Sequence, residues 1–434
     1  MHSPDDRTKS ADDPGTGYAW IDATRSAAGR WLWGMTPVER QIRELARLGL
    51  SRVVIWVSEE SADSAQRLRE DLRRLYQVDL DFRIATGTEQ LFSALAEVEE
   101  DLLLLEGEGV YDERILFHLL RQGSGVGVMD REGVSAFHLR ADQARGLGRV
   151  LEREELPERT ASLWADLGME IRTPDELEHY VPSLRLTMSP FAIRVPAEGD
   201  LRSIDYLMYR RTFKGVIDAV ARYGYYHLVR WLTRQLCRTE LTPNLFTLLS
   251  VFSIWGVVPC FAAGHFGAGL LIAWIGVIFD SVDGKLARLR LHLSDAMGTF
   301  EHIAAMPGLG LWYAATGWHL TGGELLRLDG WALVTWVLLA AFLLDKCATG
   351  GFKVIFGKEL FDYRPLDAAF HLVAARRNIS LALMTLGVLV GRLEQAFAAV
   401  AVWTLATLVF HLLRFAWIGL TRSEEEVSAA VAGS

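Results

Sequence analysis

Cysteine is scarce in this 434-residue chain, with Cys237, Cys260 and Cys347 at no short spacing from one another. That excludes a disulfide framework and a cysteine-based zinc site, and the three read as buried or interfacial thiols. Positive charge is also short. Lys and Arg number 45 against 54 Asp and Glu, a formal net charge of -9. The basic stripe that nucleic-acid binding needs is therefore missing. Residues 1–17 are polar and rich in Asp, Ser and Pro, without the apolar stretch of a secretory signal. They are expected to be disordered, and the domain after them is expected to stay in the cytoplasm. Long apolar runs are absent up to residue 200, which excludes a bilayer span there, but they crowd the rest of the chain.

What is present up to residue 200 is an alternation of short β-branched runs with segments of helical period, the pattern of an α/β domain over 18–200. Arg52-Val-Val-Ile-Trp-Val57 is a buried strand candidate. Before it, Pro37 to Leu48 places Val38, Ile42 and Leu45 on one helical face, and Gly49 stands where a helix C-cap belongs. A second strand, Asp101-Leu-Leu-Leu-Leu105, runs into Glu106-Gly107-Glu108-Gly109, and helical spacing resumes over Glu113 to Leu120. This is βαβ grammar.

This order of strand, Pro-led helix, strand and acidic turn resembles a sugar-phosphate nucleotidyltransferase. The resemblance implies a Gly-rich phosphate loop followed by Arg and a Pro-Lys pair. Only Ala27-Ala28-Gly29-Arg30 and Thr36-Pro37-Val38 stand nearby, with Val38 at the lysine position. Glu106 and Glu108 occupy the place of a metal-binding Asp. A nucleotidyltransferase-like domain kept for docking or regulation is the expectation.

Residues 201–240 mix Tyr, Trp and Arg, as in YGYYHLVRWLTRQLCR, a composition suited to helices lying at the headgroup level. Six apolar segments follow, at about 242–263, 266–288, 297–319, 330–350, 379–393 and 396–420, each near the length for ~30 Å of hydrocarbon. The expectation is an all-α six-helix transmembrane domain over 241–422, then a flexible tail over 423–434. Lys285, Arg288 and Arg290 follow the second segment. Lys353, Lys358, Arg364, Arg376 and Arg377 follow the fourth, while the opposite loops offer little beyond Arg327 and Arg392. The positive-inside rule then places the N-terminal domain and the C-terminus in the cytoplasm.

The second apolar segment carries Asp280-Ser-Val-Asp283-Gly284-Lys-Leu-Ala287-Arg288. Carboxylates at a membrane helix end are costly unless paired or metal-bound. At 100° per residue, Asp280, Asp283, Gly284 and Ala287 fall on one face. Two carboxylates on adjacent turns can share a divalent cation, the small residues admit a ligand to the backbone, and Arg288 can meet a phosphate. An isolated Asp-x-x-Asp would read as acids at a helix end. Gly, Ala and Arg at these offsets argue against that bland account.

The string is similar to the signature of CDP-alcohol phosphotransferases, as is Thr242-Pro243-Asn244 at the entry to the first span, and the resemblance extends over about 240–420. In the family's spacing, Met297 falls at a Gly position, Glu301 at the third acid and Ala305 at the fourth. The resemblance implies that Asp280, Asp283 and Glu301 hold Mg²⁺ or Mn²⁺. It further implies that Asn244, Gly284, Ala287 and Arg288 serve the CDP moiety. Arg376 and Arg377 can hold a phosphate or simply anchor a cytoplasmic loop. Ala305 cannot act as a base, and His302 is the candidate replacement. The implied enzyme is an integral inner-membrane or plasma-membrane transferase that moves a substituted phosphate from a CDP-alcohol to a polyol, polyol-phosphate or lipid hydroxyl, releasing CMP. The resemblance leaves room for a homodimer. The alternative is a membrane binding or regulatory protein derived from that family, catalytically degenerate.

Overall fold

The computed structural model describes residues 18–59, 69–70, 72, 79–85, 88–153, 161–181, 184 and 186–432. The segment 1–17, expected to be disordered, lies outside the described residues. The chain divides into two compact units, one of residues 1–180 and 187–208, the other of 181–186 and 209–434.

The first unit is built on a sheet. Its elements are β1 (Tyr18–Ala23), α1 (Pro37–Arg47), β2 (Arg52–Ser58), β3 (Asp79–Ala85), α2 (Thr88–Ala96), β4 (Leu102–Glu106), β5 (Gly109–Tyr111), α3 (Glu113–Gln122), β6 (Val126–Met129), β7 (Ser135–Leu139), α4 (Ala141–Arg153), α5 (Ala161–Asp166), β8 (Glu170–Arg172) and β9 (Ala192–Arg194). Seven strands run in the order β3-β2-β1-β4-β7-β6-β8. The pairs β1–β2, β1–β4 and β2–β3 are parallel, and β7 is antiparallel to both its neighbours. Such a sheet is buried on both faces, and β2 is accordingly apolar on both, with Val53, Ile55 and Val57 in one core and Val54 and Trp56 in the other.

α1 forms where the sequence places it. Pro37 opens it, Thr36 accepts a cap bond from the Glu39 N–H at 3.1 Å, and Ile42 and Leu45 are fully buried. Gly49, at φ +93°, ends it, and the Leu50 N–H reaches back to the Leu45 carbonyl at 3.1 Å.

The second unit is helical: α7 (Tyr226–Leu236), α8 (Pro243–Ala262), α9 (Phe266–Leu289), α10 (Asp295–Leu320), α11 (Gly330–Phe356), α12 (Pro365–His371), α13 (Arg377–Leu389) and α14 (Leu393–Ala432). α6 (Arg202–Arg210) spans the division between the units. Among the described residues, four helices are long and apolar enough to cross a membrane: α8, α9, α11 and α14 as far as Thr421. α10 does not reach that apolarity, and α13 has 13 residues, too short to cross alone. Helix α14 runs on to Ala432, through most of the stretch expected as a flexible tail.

Close approach between these helices depends on small residues. A Cβ on Gly276 of α9 would come within 2.7 Å of the Ser253 Cβ on α8, and one on Gly308 of α10 within 2.5 Å of Ile254. The Trp312 indole N–H donates to the Ile254 carbonyl at 2.7 Å, fixing α10 against α8. Phe252, Leu271, Leu343 and Val402 point outward and exposed. An apolar surface of this kind belongs in lipid rather than water.

Candidate functional sites

In the first unit, the order of the sheet reverses between β1 and β4, and the crevice beyond their carboxyl ends is where open α/β sheets take ligands. Here paired side chains stand at it. Arg25 donates to Glu108 at 2.7 Å, while Arg194, on β9, donates to Glu106 at 2.7 Å and lies 3.4 Å from Glu108. Burial works against the charge of both guanidinium groups, and hydrogen bonding to the carboxylates more than offsets it, holding both above the ordinary arginine value. Glu106 and Glu108 are therefore committed to internal cations. Gly107 lets β1 and β4 converge here, because its own N–H donates to the Asp22 carbonyl at 2.7 Å and a Cβ would sit 2.5 Å from that oxygen.

In the second unit, a cavity of about 330 Å³ gathers residues from seven parts of the chain, with Phe261 of α8 and Phe397 of α14 among them. Asp280 comes from α9 and Glu301, His302 and Ala305 from α10. Lys346 comes from α11, Arg376, Arg377 and Asn378 from the start of α13, and Asp218 from the segment before α7. Arg377 donates to Asp280 at 2.6 Å. The carboxyl groups of Asp280 and Glu301 are in hydrogen-bonding contact. Two carboxyl groups in contact require a shared proton or a cation. His302 and Arg376 line the same cavity from exposed positions.

Asp283 is placed differently. It is 5% exposed and accepts a hydrogen bond from the Thr247 hydroxyl of α8 at 2.7 Å, off the cavity lining. Asn244, Gly284, Ala287 and Arg288 also stand off that lining. The Arg288 guanidinium folds back over Gly284, with Nη2 3.0 Å from where a Cβ would stand, and its buried Nε has no protein partner.

The fit to a divalent cation is in kind. Asp280 and Glu301 offer the oxygen ligands a hard cation prefers. Among the described residues, however, no three acidic, His or Cys groups surround one point. The expected third ligand, Asp283, is turned to Thr247 instead.

Sequence reasoning passed over several polar groups here. Asp345 pairs with His411 at 2.6 Å and Asp367 pairs with Arg414 at 2.6 Å, all four inside the helical unit. Ionisable residues within apolar runs were the available signal for Asp345 and His411. Asp218 stands alone between Val216-Ile217 and Ala219-Val220-Ala221, so a single carboxylate in an apolar stretch was the signal there too.

No family model matches the chain. It is 33% identical over 72 residues to phosphatidylinositol phosphate synthase of Mycobacterium tuberculosis (strain H37Rv) and to that of Mycobacterium bovis, over 16% of this chain. The chain spans a third of the length of these curated relatives. It is homologous to phosphatidylinositol phosphate synthase over that part. Among solved structures, M. tuberculosis phosphatidylinositol phosphate synthase with CDP-DAG bound aligns at 20% identity and a TM-score of 0.33, covering 44% of this chain and 94% of that one. The inositol-1-phosphate CTP transferase from T. maritima aligns at 12% identity and a TM-score of 0.30, covering 44% of this chain and 94% of its own.

Proposed function

We propose that the helical unit is a membrane CDP-alcohol phosphotransferase. An acceptor hydroxyl attacks the β-phosphorus of a CDP-alcohol, a new P–O bond forms to the acceptor, the bond to the CMP oxygen breaks, and CMP leaves. The observation that carries this reading is the meeting of Asp280, Glu301 and Arg377 around one cavity, with Asp280 opening the string Asp280-x-x-Asp283-Gly284-x-x-Ala287-Arg288. Homology over 72 residues to phosphatidylinositol phosphate synthases supports it. A solved relative of that name holds manganese.

In this reading Asp280 and Glu301 hold Mg²⁺ or Mn²⁺, with Asp283 behind them. A bound divalent cation supplies charge neutralisation and alignment of the diphosphate. Arg288, Arg376 and Arg377 contact phosphate oxygens, while Asn244, Gly284 and Ala287 admit the nucleotide close to the backbone. His302 takes the proton from the attacking hydroxyl, the role that Ala305 cannot fill. The helices α8, α9, α10, α11 and α14 cross the membrane, α13 does so together with the turn that joins it to α14, and both termini are cytoplasmic. α7 lies at the headgroup level, and the first unit serves docking or regulation because Glu106 and Glu108 are held by its own ion pairs. The chain works alone or as a homodimer.

The test is CMP release by the purified full chain with Mg²⁺ against a panel of CDP-alcohols. Turnover that is lost in Asp280→Asn is the expected result. Turnover unaffected by Asp280→Asn would remove the site assignment. The rival reading, a degenerate binding protein, is favoured by Ala305 and by the Arg377–Asp280 pair, and it expects CDP-alcohol binding without CMP.

A further inference from the structure

Away from the cavity, two guanidinium groups share one indole. Arg364, which leads into α12, and Arg414, on α14, have their Cζ atoms 4.4 Å and 4.6 Å from the centroid of the Trp417 ring. Arg414 is already paired, since its Nε donates to Asp367 Oδ1 at 2.6 Å and its Nη2 to Asp367 Oδ2 at 2.9 Å. Arg364 is exposed and, among the described residues, has no carboxylate partner. The ring attracts both cations but carries no net charge, so a single carboxylate stands against two guanidinium groups. One positive charge is left over. The Trp417 indole N–H likewise has no acceptor among the described residues. None of these side chains lines the cavity.

The neighbours of this cluster define the anion that fits it. Trp417 lies one turn before Thr421, where the apolar stretch of α14 ends. Leu413 and Leu420, a turn to either side of Trp417 on the same stripe, are exposed, as is Leu366 beside Arg364. Tryptophan and arginine at the end of an apolar stretch belong at the headgroup level. A ligand that matches an apolar stripe leading to an unpaired guanidinium and a free indole N–H has an apolar tail and an anionic head that accepts hydrogen bonds. An inorganic anion leaves the stripe bare, and a zwitterionic lipid brings a cation of its own to the excess positive charge.

We propose that Arg364, Arg414 and Trp417 form a site for an anionic phospholipid, held beside α14 as a fixed component of the protein and not as a substrate. Arg364 meets the lipid phosphate through its planar fork, and the indole N–H donates to a phosphate or ester oxygen. Arg414, fixed by Asp367, adds positive charge on the same ring. Because Arg364 leads into α12 and Trp417 belongs to α14, one headgroup ties these two helices together. The inference requires that α14 spans a membrane, and it does not depend on the transfer reaction.

The experiment titrates the detergent-solubilised full chain with phosphatidylglycerol and with phosphatidylcholine of the same acyl chains, reading retained lipid by native mass spectrometry and the thermal midpoint. Wild type is expected to hold phosphatidylglycerol roughly 5-fold more tightly than phosphatidylcholine and to gain thermal stability from it. Equal retention of the two lipids overturns the site. Arg364→Gln should abolish the preference, and Trp417→Phe, which keeps a ring but loses the N–H, should weaken it. Arg364 is exposed and bonds to no described residue, so its replacement leaves the fold standing, which an unchanged midpoint in phosphatidylcholine verifies. Arg364→Lys keeps the charge without the fork and should recover only a small part of the preference. A full preference in Arg364→Gln would place the lipid elsewhere, and a full preference in Arg364→Lys would reduce the arginine to a diffuse anchoring charge. Either result sinks the proposal. Inorganic phosphate at matched ionic strength is the second arm: no competition is expected, and displacement of the lipid would make a free anion the ligand instead.

Discussion

Arg377 reaches across 97 residues of sequence to place its Nη2 2.6 Å from Asp280 Oδ2. Both side chains are about one-fifth exposed, and Glu301 adds a second carboxyl group to the same spot. Removing the guanidinium takes away the counter-charge in direct contact with Asp280, a loss of about 3 kcal/mol for a largely buried pair. Arg377→Gln is expected to lower the thermal midpoint in detergent, and Mg²⁺ to recover part of that loss in the variant more than in wild type. An unchanged midpoint, or no extra response to Mg²⁺, would show that Arg377 is not the balancing charge.

Ala305 lies one helical turn beyond Glu301 and lines the same cavity. Ala305→Asp puts a carboxylate beside Asp280 and Glu301. If the helical unit is an enzyme short of a base, CMP release rises by ~10²–10⁴-fold. If His302 already takes the proton, wild type turns over, Ala305→Asp changes little and His302→Ala lowers the rate. CMP release by the three proteins decides between these outcomes.

Glu44 on α1 is fully buried, with Oε2 unpartnered and Arg40 at 3.4 Å. Burial pushes its carboxyl up to about 8, against an ordinary 4.5. The folded unit thus holds a proton that the unfolded chain releases. Stability from this site is full below pH 4.5, falls as pH rises towards 8, and is level beyond. The total is on the order of a few kcal/mol. Glu44→Gln should remove this slope and be the more stable form above pH 8. Hydrogen-exchange protection of α1 and β4 amides in the full chain at pH 6 and 9, corrected for intrinsic exchange, reads the effect. A slope that persists in the glutamine variant would assign it elsewhere.

Gly107 offers a steric test of the close approach of β1 and β4. A methyl group there meets backbone atoms of Asp22 and Ala23, which cannot rotate away. Gly107→Ala should therefore cost about 1–3 kcal/mol and lower the protection of β1 and β4. Gly29→Ala, whose Cβ would meet nothing within 4 Å, is the control. Equal protection in the two variants would mean that β1 and β4 are not held this closely.

Local pattern was enough for most of the elements. β2 covers Arg52–Ser58 and α1 covers Pro37–Arg47 because β-branched runs and capped amphipathic stretches encode their own conformation. The helices α8, α9, α10 and α13 begin and end near the apolar run boundaries for the same reason, while α11 and α14 run on past theirs. Asp280 stood out through the offsets of its string and Glu301 through the family resemblance, and both line the cavity of the helical unit. Apolarity was less informative for α10, where the polar groups Glu301, His302 and His319 dilute the run.

The sequence by itself determined the two-part organisation, the helical ends and the acidic string, since each depends on neighbours a few residues apart. Only the tertiary structure decided the partners. One turn of α9 sends Asp280 to Arg377 and Asp283 to Thr247, a choice set by which helix packs on each side. The orientation of the Asn378 amide depends on Asp218, 160 positions earlier. The fate of Glu106 depends on Arg194 from β9, 88 positions later. Hydrogen bonds and ion pairs act over about 3 Å, so they are settled only once packing has brought distant segments together.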